Sequence, residues 1–344
     1  MRKSADITVM HASKCHRNQD AFLSNEHNKV KLIKLLIYIL SAKDNEAKYS
    51  DNDADCLIVS TALKIAESDK TVFVVAEDTD ILIMLIHHWR PEMADILMVK
   101  EKNSKIKGKC LELISIQKMY HAMNPLRRDN ILFIHAWSGC DTTSSTFGQE
   151  KTLLFKLLAA SPQLQDLVIS FVDRNNSPEE VGTKGIAIFC NLYGGREDLS
   201  LNHLRYIRYQ TMVARCSNIE PERLPPTERA AHYHSLRVYL QVIQWDELDN
   251  KCCNALDWGW KIDKGVMHPI MTDLEAAPEN VLKFIRCKYK VRGKKQCGTN
   301  QCSCFKAGLK CVSSCTGCYG EACHNKSLII EQSEVDEIEI EDIA

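Results

Sequence analysis

Two groups of residues in this sequence have the types and spacing to hold metal ions, and the first is acidic. Val72-Phe-Val-Val75, an apolar and largely β-favouring run, leads straight into Glu77, Asp78 and Asp80, and a strongly apolar helical stretch, Ile81 to Ile86, follows. A short continuous apolar run reads as a buried parallel strand, and open α/β sheets place their ligands at the C-terminal ends of such strands. Two carboxylates two residues apart at that end suit a hard divalent cation such as Mg²⁺ or Mn²⁺. The competing reading makes Asp78 the cap of the next helix and places Asp80 in its first turn. Asp53 and Asp55 precede the strand, and Asp141 follows Gly139-Cys140. Five carboxylates near expected helix starts and strand ends could converge on one site. Two-metal phosphodiester hydrolysis needs such a convergence, because paired cations must activate a water and stabilise the leaving oxygen.

The second group is sulfur. Of sixteen cysteines, eight lie between Cys287 and Cys323: Cys287, Cys297, Cys302, Cys304, Cys311, Cys315, Cys318 and Cys323. The first twenty residues are polar with no apolar core, so no export signal is read there, and in a reducing compartment such clustering argues for metal rather than disulfides. Zn²⁺ is the usual metal of dense thiolate sites. Tetrahedral Cys₄ coordination lets eight thiols close two sites, and bridging thiolates could hold a third ion, with His324 as a candidate extra ligand. The remaining eight cysteines, Cys15, Cys56, Cys110, Cys140, Cys190, Cys216, Cys252 and Cys253, read as small core residues. Arg286, Lys288, Lys290, Arg292, Lys294 and Lys295 lie within ten residues beside the first clustered cysteine, a local basic patch suited to phosphates. A solvated basic face is the competing reading.

Other candidates are weaker. His87 and His88 are adjacent on an expected helix, point in different directions, and are expected at the surface. Trp245, Trp258 and Trp260 read as core rather than as base-stacking platforms. Gly194-Gly195-Arg196 lacks the spacing and the lysine of a phosphate loop.

The elements that must position these residues follow from periodicity. Ser24-Asn25 offers a cap before an amphipathic helix over Val30 to Leu40, and Asp53-Ala-Asp55 opens a second helix whose Leu57, Ile58, Ala62, Leu63 and Ile65 face a core. The strand at Val72 comes next, then the helix from Ile81. Asp95 to Val99 reads as another strand, with Leu111 to Ile116 placed to pair with it as a hairpin. Helices are expected over Arg128–Trp137 and Lys151–Ala159. The pattern stays mostly helical from Leu164 to Gln244 and includes one long helix over Glu228–Trp245. Trp258 to Trp260 and Met267 to Ile270 read as short extended segments. Residues 331–344 hold seven acids and no base, which reads as disordered.

The whole chain of 344 residues has a formal net charge of −1, so it exerts no global pull toward nucleic acid or membrane, and its longest apolar patch, around Leu35 to Leu40, is too short to span a bilayer.

The acidic blocks carry a family resemblance. Asp53-Ala-Asp55-Cys56, Ala76-Glu-Asp-Thr-Asp-Ile-Leu82 and Gly139-Cys-Asp-Thr-Thr-Ser144 resemble, in order, three acidic blocks of the PIN-like flap endonuclease superfamily. The first block there is usually Glu-Ala-Glu-Ala, so Asp53 and Asp55 stand as shortened equivalents, and Gly-Cys-Asp141 stands where that family has Gly-Ser-Asp. Gly148-Gln-Glu-Lys151 resembles the remnant of its helix-turn-helix, which makes Lys151 a candidate backbone contact. The family's first strand supplies another acid, and no strand–Asp block precedes Asp53 here; Asp6 is a poor candidate. The resemblance covers about residues 50–160. It implies a metal-dependent nuclease fold whose Asp53, Asp55, Asp78, Asp80 and Asp141 hold Mg²⁺ or Mn²⁺.

The sulfur group carries a second resemblance. Cys297-x₄-Cys302-x-Cys304-Phe305-x₅-Cys311-x₃-Cys315, closed by Cys323-His-Asn325, is similar to the tesmin-type CXC domain, a zinc cluster that binds DNA in some relatives. Tyr289 occupies that domain's second opening cysteine, and Gln301 replaces a tyrosine that often precedes the central Cys-x-Cys.

The expected fold is α/β: a PIN-like, Rossmann-like parallel sheet flanked by helices, with a helical extension and a small zinc-cluster module. The expected domains are a PIN-like core over 1–160 lacking its N-terminal part, a mainly helical extension over 161–275, a CXC-like module over 276–327 and an acidic tail over 328–344. The function implied is that of a structure-specific, metal-dependent nuclease anchored on DNA through two or three Zn²⁺ ions, in an intracellular, nuclear setting. The alternatives are a catalytically inactive DNA- or chromatin-binding scaffold that keeps the fold, and a protein-interaction module with purely structural zinc.

Overall fold

In a computed structural model of the chain, the residues described are 5–10, 13, 19–50, 54–104, 108–146, 151–195, 199–215, 223–249, 253–273, 287–288, 296–311, 315, 318–320 and 323–326. They belong to two compact units, the first made of Met1–Cys140 and Leu240–Asn254, the second of Asp141–Tyr239 and Ala255–Ala344.

The first unit begins with two helices, α1 (Gln19–Leu23) and α2 (Glu26–Ser41). The Asn25 side chain accepts hydrogen bonds from the backbone N–H groups of His27 and Asn28, which satisfies donors that the first turn leaves without partners. Ahead of them, residues 5–10 run without forming a strand, and the Asn25 amide donates to Asp6. Asp6 therefore sits against a helix cap rather than at a strand end.

Helix α3 (Asp55–Ala66) buries Cys56, Val59, Ala62, Leu63 and Ala66, a stripe at helical spacing. Strand β1 (Val72–Val75) follows, then α4 (Thr79–His88), which buries Ile81, Met84, Leu85 and Ile86. Strands β2 (Ile96–Ser104) and β3 (Gly108–Ser115) complete a three-stranded sheet of order β1-β2-β3. β1 and β2 are parallel, with Val72 opposite Ile96 and Val75 opposite Val99. β2 and β3 form the expected antiparallel hairpin, with Leu97 opposite Ser115. The unit is thus mixed α/β, and its sheet is mixed where a parallel one was expected.

Val74, Ile96 and Met98 are buried on the face that α3 and α5 (Ile116–Ala122) pack against. Phe73 and Val75 point to the opposite face and are 60% and 83% exposed. The run at Val72 was expected to be buried on both faces. It is instead an edge strand of the described sheet, covered on one side. Ser115 caps α5 while donating to Asp95, which joins the end of the sheet to that helix.

The helix expected over Arg128–Trp137 is two helices, α6 (Pro125–Asp129) and α7 (Ile131–Ser138). Asn130 divides them, and its side-chain amide donates back to the Leu126 carbonyl. α7 stops at Gly139, whose φ of 109° lies where a side chain would be strained.

In the second unit, α8 (Lys151–Ala160), α9 (Pro162–Phe171), α10 (Pro178–Leu192) and α11 (Leu201–Arg215) succeed one another. α10 starts with a reciprocal box in which Ser177 and Glu180 each bond the other's backbone N–H, and Pro178 fills its first turn. The long expected helix is α12 (Glu228–Glu247). Its first part packs against α10 so closely that a Cβ added at Gly185 would lie 1.9 Å from the Ser235 hydroxyl. Its last residues belong to the first unit. There Asp246 bonds His87 at 3.1 Å and the Trp245 carbonyl bonds His88 at 2.8 Å. Neither histidine lies on the open surface as expected, and burial pushes the His88 imidazole below its ordinary pKa.

β4 (Trp260–Asp263) and β5 (Val266–Pro269) form a hairpin turned by Lys264 and Gly265, both at positive φ, as the twist of a two-residue hairpin demands. Trp258 stacks on Tyr239 at 4.4 Å, so its core assignment holds. The last element is a single helical turn, α13 (Ser303–Lys306), inside the cysteine-rich segment. Among the described residues, no helix is long and apolar enough to cross a membrane.

Candidate metal centres

The acidic group is assembled by two helix starts. Asp55 opens α3, Asp78 is the N-cap of α4 and Asp80 lies in the first turn of α4. Carboxylate oxygens of these three residues lie within 4.8 Å of one another. Each helix N-terminus carries a partial positive charge, a setting in which acidic side chains are favoured. Asp78 Oδ1 accepts the Asp80 N–H at 2.8 Å, so the capping role is real. A carboxylate has two oxygens, however, and capping through one leaves the residue able to ligate through the other.

Sequence reasoning missed a fourth member of this arrangement. His135 of α7 is buried, and its Nε2 lies 2.6 Å from Asp80 Oδ1. The signal was present in the sequence as a single imidazole inside the otherwise apolar run Ile131-Leu-Phe-Ile-His-Ala-Trp137. A buried polar ring requires a partner, but 55 residues separate His135 from the partner it finds. The ring also lies 5.7 Å from Trp245.

Of the five expected acids, Asp55, Asp78 and Asp80 come together. Asp53 lies outside the described residues. Asp141 is exposed on a turn and belongs to the second unit, so among the described residues the group built within the first unit has three carboxylates. Glu77 is exposed and is not part of it. Three oxygens of this kind offer a hard cation a partial coordination shell that water can complete.

The sulfur group is denser. All eight clustered cysteines are buried and lie against one another. Cys287 Sγ is 3.7 Å from Cys297, 3.9 Å from Cys311 and 3.6 Å from Cys318. Cys302 lies 3.8 Å from Cys311, and Cys304 lies 3.6 Å from Cys315. None of the eight is joined in a disulfide. The spacing has a specific meaning: four sulfurs placed at about 2.3 Å around a tetrahedral Zn²⁺ are separated from one another by about 3.8 Å. The observed sulfur–sulfur distances match those edges, and on that test the residues fit zinc.

Three sets of four thiols could each surround an ion: Cys287, Cys311, Cys315 and Cys318; Cys287, Cys297, Cys302 and Cys311; and Cys297, Cys311, Cys318 and Cys323. The sets overlap. Cys311 belongs to all three, whereas Cys287, Cys297 and Cys318 each belong to two. His324, the candidate extra ligand, is exposed and belongs to none.

Without a cation such packing disfavours thiolates. Burial, helped by neighbouring thiols, pushes Cys304 up to about 12 and lifts Cys297 and Cys311 above the ordinary thiol range. Burial also pushes up Cys302, but the Phe305 N–H and neighbouring thiols outweigh it and hold that thiol below its ordinary value. A divalent cation inverts this balance and deprotonates its ligands.

Little regular structure holds the sulfurs. Cys302 caps the single turn α13, and Cys297 sits at a φ of 63°. Asn325, which sequence reading matched only as a motif end, is buried beside them. Of the basic candidates, Lys288 is exposed beside Cys287 and Lys151 is half-buried at the start of α8. Arg286, Lys290, Arg292, Lys294 and Lys295 lie outside the described residues, as does the acidic tail. Three further lysines of the segment, Lys306, Lys310 and Lys326, are exposed, as are Phe305 and Tyr319.

No protein-family model, curated protein or solved structure matches this chain.

Proposed function

We propose that this protein is a zinc-thiolate, nucleic-acid-associated protein whose cysteine-rich segment anchors it on DNA. The observation that carries the reading is the set of eight buried cysteines, none in a disulfide, at the spacing of zinc-bound sulfurs. Dense thiolate sites of this kind are structural, fully closed by protein ligands. What they stabilise is a surface, and exposed Lys288, Lys306, Lys310 and Lys326 give that surface the charge that phosphates recognise. Exposed Phe305 and Tyr319 add rings able to stack on bases. The sequence similarity to the CXC domain supports the same reading.

The acidic group favours a second activity on the same substrate class, divalent-metal-dependent phosphodiester hydrolysis on a PIN-like core. Asp55, Asp78 and Asp80 would hold Mg²⁺ or Mn²⁺, which supplies Lewis acidity to the phosphoryl oxygen and to the attacking water. His135 holds one oxygen of Asp80 in place. A scaffold that keeps the fold without turnover is the reading that remains if no cleavage is found.

Two experiments test these readings. Purified full-length protein, dialysed against metal-free buffer, retains two or three zinc ions per chain; zinc content near zero overturns the first reading. Flap, hairpin and single-stranded DNA incubated with the protein in Mn²⁺ are cleaved, and the Asp78→Ala/Asp80→Ala double variant abolishes the cleavage. No cleavage, or cleavage unchanged in the double variant, removes the nuclease reading and leaves the scaffold.

A further inference from the structure

The geometry points to Asn325 as the positioning residue of the thiolate cluster: its side-chain amide orients Cys311, the sulfur shared between metal ions. The inference rests on the zinc-thiolate reading above and adds a residue that is not itself a ligand.

Cys311 is the hub of the sulfur group. It is the one cysteine common to all three four-thiol sets, with Cys287 and Cys302 at 3.9 and 3.8 Å. A thiolate that bridges two ions commits two of its three lone pairs to them and keeps the third for a hydrogen-bond donor. Its side-chain torsion is therefore the most constrained in the cluster.

Asn325 fixes that sulfur from both ends of the residue. Its backbone carbonyl accepts the Cys311 N–H at 2.8 Å, within a parallel bridge that joins Cys311 to Lys326. Its side-chain Nδ2 donates to Cys311 Sγ at 3.6 Å and to the Leu309 carbonyl at 2.8 Å. The amide has two N–H groups, so both bonds can form together. Asn325 is only 7% exposed, although it is flanked by the exposed residues His324 and Lys326.

A donor aimed at a bridging thiolate does two things. It holds the Cβ–Sγ bond in the rotamer that faces the other sulfurs, and it draws electron density from a sulfur that carries negative charge. Groups that orient metal ligands in this way are typically worth about 10- to 100-fold in metal affinity. The backbone bond and the Leu309 bond would persist for purely architectural reasons.

The test separates the side chain from the backbone. Full-length wild-type protein, Asn325→Asp, Asn325→Ala and, as a control, the exposed Asn300→Ala are prepared with zinc and with cadmium. Asn325→Asp keeps the shape of the side chain and loses the donor to both Sγ and the Leu309 carbonyl. It also sets a negative charge beside the thiolate, whereas Asn325→Ala removes the donor without adding that charge. Transfer of zinc to a chromophoric chelator is expected to be about 10- to 100-fold faster in both Asn325 variants than in wild type or the control. In cadmium NMR, the resonances of ions bonded to Cys311, identified by coupling to its β-protons, shift in Asn325→Asp while any other stays in place. A merely structural role would not move those resonances selectively.

Wild-type transfer rates together with unshifted resonances in Asn325→Asp overturn the proposal. So does faster transfer with every resonance displaced alike, which marks general loosening. If Asn325→Ala fails to fold, Asn325→Asp decides. Wild-type protein that holds no metal overturns the zinc reading and this inference with it, an outcome distinguishable from failure of the Asn325 role alone.

Discussion

The two candidate metal centres are built in opposite ways. Around the acidic group, the fold comes first. Asp78 and Asp80 sit where α4 begins, Asp55 where α3 begins, and both helices are fixed by buried apolar stripes. Around the sulfur group, one helical turn and one isolated bridge are the only regular backbone among the described residues from Cys287 to Lys326, and the buried side chains are the cysteines themselves. The first centre should exist without its ion; the second should not. A metal can be an addition to a fold or a substitute for a hydrophobic core, and this chain holds candidates for both.

Removing zinc is the strongest way to break that contrast. Structural zinc contributes about 10–16 kcal/mol of apparent folding free energy in small modules. Chelation is expected to unfold the segment around Cys287–Cys323 and leave the first unit intact, read by hydrogen exchange resolved along the chain. Loss of protection over α3 and α4 on chelation would show the two centres to be coupled.

Acidity gives the next largest effect. Zinc binding requires thiolates and releases protons, so affinity rises with pH and zinc is shed on acidification. The raised thiols, Cys304 among them at about 12, act with the same sign, because without a cation these sulfurs keep their protons and protons compete with zinc for them. Zinc retained after equilibration at a series of pH values checks the sign: retention that does not fall on acidification would contradict it.

Within the first unit the effects are smaller. His135→Ala removes the ring that Asp80 holds at 2.6 Å and is expected to cost about 1–3 kcal/mol in chemical denaturation. Zinc content is expected to be unchanged. The smallest effect is the most discriminating. Asp78→Ala should cost about 1 kcal/mol through loss of the cap, whereas Asp78→Asn keeps a capping oxygen and should cost a few tenths. Both variants lose a charged ligand, so both should weaken Mn²⁺ binding measured by calorimetry. Mn²⁺ affinity that survives Asp78→Asn would leave Asp78 a cap and nothing more.

What the sequence made legible was local. Asn25 as a cap, the stripes of α3 and α4, the hairpin of β2 and β3, and the long α12 all follow from spacing within a few residues. The cysteines were legible by count alone, because eight thiols in 37 positions leave few chemical uses. What the sequence hid depends on partners far along the chain. Val72–Val75 is apolar enough for a doubly covered strand, and Phe73 and Val75 are exposed because, among the described residues, nothing covers the sheet face they point to. His87 and His88 looked like surface residues because their partners, Asp246 and Trp245, come more than 150 residues later. The break at Asn130 was local and could have been read, since a side-chain amide that bonds back to the preceding turn competes with helix continuation.

The central claim is that the eight clustered cysteines are thiolate ligands of zinc rather than packed free thiols. X-ray absorption at the zinc edge, on the full-length protein as purified, tests it most directly. The account predicts an all-sulfur first shell of four scatterers at about 2.3 Å around each zinc. A shell containing nitrogen or oxygen, or protein that carries no zinc, would contradict it.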